Sequence, residues 1–169
     1  GVENSSFPED TLSFDLFNLT DIQQTVVFEV ITENGFCVGD TFSLTLNIDP
    51  GPTVANFYDT ICSGDSFCGT PVNSIIPNGT LYAWPSPAIS PNGEIVSSDG
   101  NPFAAGQNSN CIGYSSSLNI ENISNPPFVA EMIFNVTPSY GVCIGEPFEA
   151  HLFVYPTPED IAYAEDSVI

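Results

Sequence analysis

Residues 34–52 read NGFCVGDTFSLTLNIDPGP, and residues 140–158 read YGVCIGEPFEAHLFVYPTP. A shift of 106 positions lays one on the other without a gap. Gly35 meets Gly141, Cys37 meets Cys143, Gly39 meets Gly145, Phe42 meets Phe148 and Leu46 meets Leu152. Pro50 and Pro52 then meet Pro156 and Pro158. Upstream, Phe28 falls on Phe134, Val30 on Val136, and Leu12-Ser13-Phe14 on Leu118-Asn119-Ile120. Gly, Cys, Pro and apolar positions locked to one shift mark one fold unit written twice. At this period the unit is a whole domain, larger than a solenoid turn.

Inside the unit the apolar period is two. Phe42, Leu44, Leu46 and Ile48 alternate with Ser43, Thr45, Asn47 and Asp49, which predicts a half-buried strand. Phe148, Ala150, Leu152 and Val154 take the inward places in the second copy, and Met132, Phe134 and Val136 predict its partner strand. Between the strands, Gly35–Gly39 and Gly141–Gly145 supply the turn positions of a hairpin. Asp49-Pro-Gly-Pro52 and Tyr155-Pro-Thr-Pro158 stop a strand, because proline cannot donate to the ladder, and form a short stiff linker. No window carries a helical period. The expected class is all-β, as tandem immunoglobulin-like β-sandwich repeats.

The copies divide the chain unequally. Residues 1–53 hold the C-terminal half of one unit, 54–158 a complete unit, and 159–169 a linker and the first strand of a next one. Asp166-Ser-Val-Ile169 matches Asp59-Thr-Ile-Cys62 as such an opening strand. The chain therefore reads as a window on a tandem array, or as a subunit whose ends are completed by neighbours.

Composition removes several functions. The chain has no Lys and no Arg against 21 Asp plus Glu, a formal charge of -21. Nucleic-acid binding needs cations to displace counterions from phosphates. Phosphate-loop nucleotide sites need a lysine, and anionic membranes repel such a surface. With 42% hydrophobic residues the chain still has enough apolar mass for packed cores. No apolar run of about 18 residues predicts a membrane-spanning helix, and no signal peptide is visible. The carboxylates have no Lys or Arg to pair with, so we expect them in water, on backbone N–H groups, or around a divalent ion. No cofactor is expected; structural Ca²⁺ is the one candidate ion, with no ligand set assigned.

Cys37, Cys62, Cys68, Cys111 and Cys143 show no zinc-like spacing and sit in turn-like contexts, which points to extracellular disulfides. We expect Cys62, on the opening strand, to bond Cys143 in the last hairpin, and Cys68 to bond Cys111. Cys37 is then unpaired within the window. The single Trp84 has two readings, a core residue or a ligand-stacking platform.

The chain resembles a known family. DTICSGDSF (59–67), TLYAWPSP (80–87) and FNVTPSYGVCIGEPFEAHLFVYPTP (134–158) are similar to the PKD-like repeats of giant Bacteroidetes surface proteins. Those repeats open on a Cys-Ser-Gly strand, carry a Tyr-x-Trp strand, and end with Thr-Pro, a Gly-x-Cys-x-Gly hairpin and a Pro-x-Pro linker. The Trp-Asp-Phe-Gly-Asp-Gly stretch of ordinary PKD domains is absent. The resemblance implies type IX secretion and display on the cell surface, as in adhesins of the gliding-motility type. It also implies O-glycans at Asp-Ser/Thr-apolar sites, which here are Thr11, Thr60 and Ser167. The sequons at Asn18 and Asn78 are weaker signals still if the source is bacterial, as the resemblance implies.

A catalytic reading has little to work with. His151, the only histidine, falls on the outward side of a strand where the other copy has Thr45. Glu29, Glu33 and Glu131 show no converging pattern for paired-carboxylate hydrolysis. We therefore expect a non-catalytic extracellular spacer or stalk of a long adhesin or fibre, whose partners are neighbouring repeats, copies of itself, surface glycans or other cells. The alternatives are a strand-exchanging filament subunit, and a carbohydrate-binding module using Tyr82, Trp84 or Tyr114.

Overall fold

A computed structural model describes residues 15–158, apart from Asn73 and 115–117. The described residues form strands and no helix. β1 (Gln24–Asn34) and β2 (Cys37–Ile48) make the first hairpin. After a linker come β3 (Phe57–Cys62), β4 (Cys68–Gly69), β5 (Leu81–Trp84), β6 (Ala88–Ser90) and β7 (Ile95–Ser97). β8 (Gly106–Asn108), β9 (Ile112–Gly113) and β10 (Ile120–Asn122) follow, and β11 (Ala130–Tyr140), β12 (Cys143–Ile144) and β13 (Phe148–Tyr155) close the unit. The chain is all-β, as its period-two patterning predicts.

β11 organises the main sheet. β13 and β12 pair along one edge, while β6 and then β5 share the other. β8 extends the sheet beyond β5, and β3 lies outside β13. Alternate residues of β11 and β13, among them Met132, Phe134, Val136, Leu152 and Val154, are fully buried. Burying a side chain of that size contributes about 1.5–3 kcal/mol. The opposing layer comes from the two-stranded β4–β9 and β7–β10 sheets, which add Ile95, Ile112 and Ile120, with Phe67 beside them, to the same core. Two layers around one core are consistent with a β-sandwich.

The two hairpins share one register. Gln24 faces Ile48 and Ala130 faces Val154; Val26 faces Leu46 and Met132 faces Leu152. Val30 faces Phe42 and Val136 faces Phe148, while Asn34 faces Cys37 and Tyr140 faces Cys143. Every one of these pairs differs from its counterpart by the same shift of 106. Gly35 and Gly141 both turn with positive φ, 61° and 57°. Gly39 backs onto Thr32 and Gly145 onto Pro138, again equivalent positions where a Cβ would crowd its neighbour.

Their surroundings differ. β1 and β2 form a two-stranded sheet with no third strand among the described residues. Val26, Val30, Leu44, Leu46 and Ile48 are half-buried and Phe42 is exposed, whereas their counterparts in β11 and β13 are buried. The same alternation therefore gains much less burial in the first hairpin.

The expected Cys62–Cys143 bond does not form, and strand direction is the reason. β3 does lie beside β13, but parallel to it, so Cys62 is level with Tyr155 at the far end. Cys143 precedes Phe148 at the near end. The 8 residues of β13 separate the two thiols by about 26 Å. Bonded cysteines need Cα atoms within about 7 Å. Both thiols are free.

Candidate functional site

The aromatic centre between the main sheet and its opposing layer is core. Trp84 ends β5 with 4% of its surface exposed and meets Phe134 edge-on, ring centroids 6.2 Å apart. Gly106 of β8 stands opposite in register, and a Cβ there would lie 2.5 Å from the indole. Only glycine lets β8 pass so close. Tyr82 is buried against Phe148 in a T-shaped contact at 6.4 Å. Of the two readings of Trp84, the structure gives the core one: neither Trp84 nor Tyr82 offers a face to a sugar ring. Tyr114 is half-buried, packs on Phe103 and Phe134, and its hydroxyl donates to the Ala104 carbonyl at 2.7 Å.

The Trp84 indole Nε1 is a buried polar atom without a hydrogen-bond partner among the described residues. Burial pushes the Tyr114 hydroxyl up to about 12, against a smaller downward pull from Trp84. Burial also raises Tyr82. These shifts follow from close packing.

Cys68 and Cys111 are joined, with Cα atoms 5.3 Å apart. The bond ties β4 to the residue that leads into β9, the strand it pairs with. It closes 43 residues of chain, which on the chain-entropy account contributes about 4 kcal/mol. Cys37 and Cys62 are exposed thiols and Cys143 is half-covered.

His151 lies on the outer face of β13, as its place in the alternation predicts, but it is not isolated there. Its Nδ1 is 2.7 Å from Glu131 Oε1 and its Nε2 is 3.2 Å from Glu149 Oε2. Tyr58 of β3 stacks on the ring, centroids 4.7 Å apart. Facing an acceptor at each nitrogen, the ring donates from both only as an imidazolium. The expectation that carboxylates are left to water, backbone or an ion is thereby corrected: Glu131 and Glu149 share this histidine. Sequence reasoning missed the cluster because Glu131 reaches His151 across the ladder, 20 residues away. The two carboxylates lie on opposite sides of the ring, so they do not converge on one substrate position. Glu29 and Glu33 lie on β1, in the other hairpin.

Thr60 is exposed on the outer face of β3, level with Phe153. Thr11 and Ser167 lie outside the described residues. Asn18 donates from Nδ2 to the Ile22 and Ile48 carbonyls and accepts from Thr20, so its amide holds the start of the hairpin together. Among the described residues, no three His, Cys, Asp or Glu side chains are grouped to hold a metal ion. A shallow polar cavity of about 240 Å³ beside Pro156 and Thr157 is lined by Asn122, Ser124 and Asn125, without a titratable group.

No protein-family model matches the chain, no curated protein is detectably similar to it, and no solved structure resembles it.

Proposed function

We propose that this chain is a non-catalytic extracellular spacer, a piece of a cell-surface stalk or fibre built from serial β units. The observation that supports this reading most is the path of the chain through the complete unit. It enters beside the hairpin turn, where Pro52 touches Gly145, and runs up β3; it leaves from β13 at the opposite end, beside Cys62. A unit entered at one end and left at the other adds its length to a line. One whose termini met would form a side-by-side cluster instead. The shared register of the two hairpins and the matching Pro-x-Pro linkers favour serial repetition of that unit. The Cys68–Cys111 bond and a surface without Lys or Arg suit an oxidising, protease-rich exterior.

A strand-exchanging filament subunit is the second reading, favoured by the half-exposed apolar face of β1 and β2. A carbohydrate-binding module loses its principal residue with the burial of Trp84. The spacer reading is tested by fusing two copies of the chain through the natural linker and measuring both species by small-angle X-ray scattering. Each complete unit should lengthen the particle by at least about 26 Å, the span of β13. A fused pair no longer than the single chain would refute end-to-end arrangement.

A further inference from the structure

The three free thiols occupy related places, and the junction inside the chain shows how they relate. Pro50 and Pro52 are buried, and the Pro52 carbonyl lies against Gly145, so the turn carrying Cys143 seats on the linker that follows β2. Asn56 Oδ1 accepts the Glu149 N–H at 2.8 Å, and Phe57 pairs with Ala150. The pairs Pro52/Gly145, Asn56/Glu149 and Phe57/Ala150 share one offset. Carried two residues back, that offset sets Pro50 opposite Cys143.

At the other end of the unit, Pro156 and Pro158 repeat Pro50 and Pro52. Cys62 lies level with Tyr155, one residue before that linker. A turn seated on Pro156–Pro158 as Cys143's turn seats on Pro50–Pro52 would bring its own cysteine beside Cys62. This chain carries a second such turn: Gly35–Gly39, whose Cys37 is exposed and whose Gly39 lies nearest to its own Thr32, where Gly145 lies nearest to Pro52. The missing neighbour of Cys62 thus has a template, and a second copy of the chain supplies it.

We propose that Cys62 of one copy bonds Cys37 of a second copy, clamping the Gly35–Gly39 turn of the second onto the Pro156–Pro158 linker of the first. The inference rests on the end-to-end reading given above. In the step, the two thiols lose two protons and two electrons to a small-molecule disulfide such as oxidised glutathione, which leaves as two thiols; one S–S bond forms between the chains and one breaks.

The full chain, incubated with oxidised and reduced glutathione at neutral pH and run without reductant, should give dimers and longer ladders. Because the chain lacks Lys and Arg, mapping uses cleavage at Asp and Glu, which places each of the five cysteines on its own peptide. The linked peptide should join Cys62 to Cys37, with Cys68–Cys111 intact in every species. Cys62→Ser and Cys37→Ser should each abolish the ladder, and Cys143→Ser should leave it. A Cys62–Cys62 link, an intermolecular link through Cys143, or full alkylation of Cys37 and Cys62 after oxidation would overturn the proposal. If the fused pair scatters as an extended particle while the thiols stay free, only this inference fails. A compact fused pair removes the reading beneath it.

Discussion

Tyr114 shows what covering a hydroxyl does in a chain without Lys or Arg. Its folded value of about 12 stands above the ordinary 10.0 because burial penalises the phenolate. The unfolded chain gives up this proton as pH rises past 10, while the folded chain keeps it until about 12. The stabilisation is therefore complete below pH 10 and is lost as pH climbs towards 12. Thermal midpoints measured from pH 9 to 12 should fall across it, and Tyr114→Phe should flatten part of the fall; an unchanged slope would show that Tyr114 is solvated.

At this scale the sequence was only partly legible. The outward side of His151 followed from alternation, but its contacts with Glu131 and Tyr58 depend on cross-strand register that local sequence does not carry. Trp84 remained open between two readings until Gly106 and Phe134 were seen against its ring.

Among the elements, equivalent strands carry unequal weight. Leu46 and Leu152 hold the same place in two hairpins of the same register, yet only Leu152 is fully buried. Leu152→Ala should cost about 2–5 kcal/mol, the usual range for a leucine removed from a packed core. Leu46→Ala should cost less than about 1 kcal/mol, since water already reaches that side chain. Chemical denaturation of both variants decides it, and equal losses would mean that something covers the first hairpin in solution.

Period-two patterning gave the strands of the two hairpins and, in the second, their inward faces; the short strands β4 to β10 carry too few residues to show it. It did not give the direction of β3, because alternation reads the same from either end. That ambiguity misplaced Cys62, whose neighbour is Tyr155 instead of Cys143. The Cys68–Cys111 bond needed no such choice, since it links β4 to the edge of its own ladder partner.

The whole molecule carries a formal charge of -21. Self-repulsion opposes the compact state. Raising ionic strength from about 0.01 M to about 1 M shortens the screening length from about 30 Å to about 3 Å. Unfolding midpoints in potassium chloride should therefore rise over this range, and a flat or falling trend would mean that carboxylate repulsion does not limit stability. The acidic balance and the all-β class were plain from composition and pattern.

The parallel pairing of β3 with β13 has one more consequence. A tug on the chain at Pro52 and at Pro156 draws the two strands past each other lengthwise. The ladder between Phe57–Cys62 and Ala150–Tyr155 is then loaded in shear, its hydrogen bonds resisting together instead of parting one by one as in an unzipping hairpin. Pulled at those two points, this ladder should hold its length and give way in a single abrupt step, which force spectroscopy on the chain reads directly.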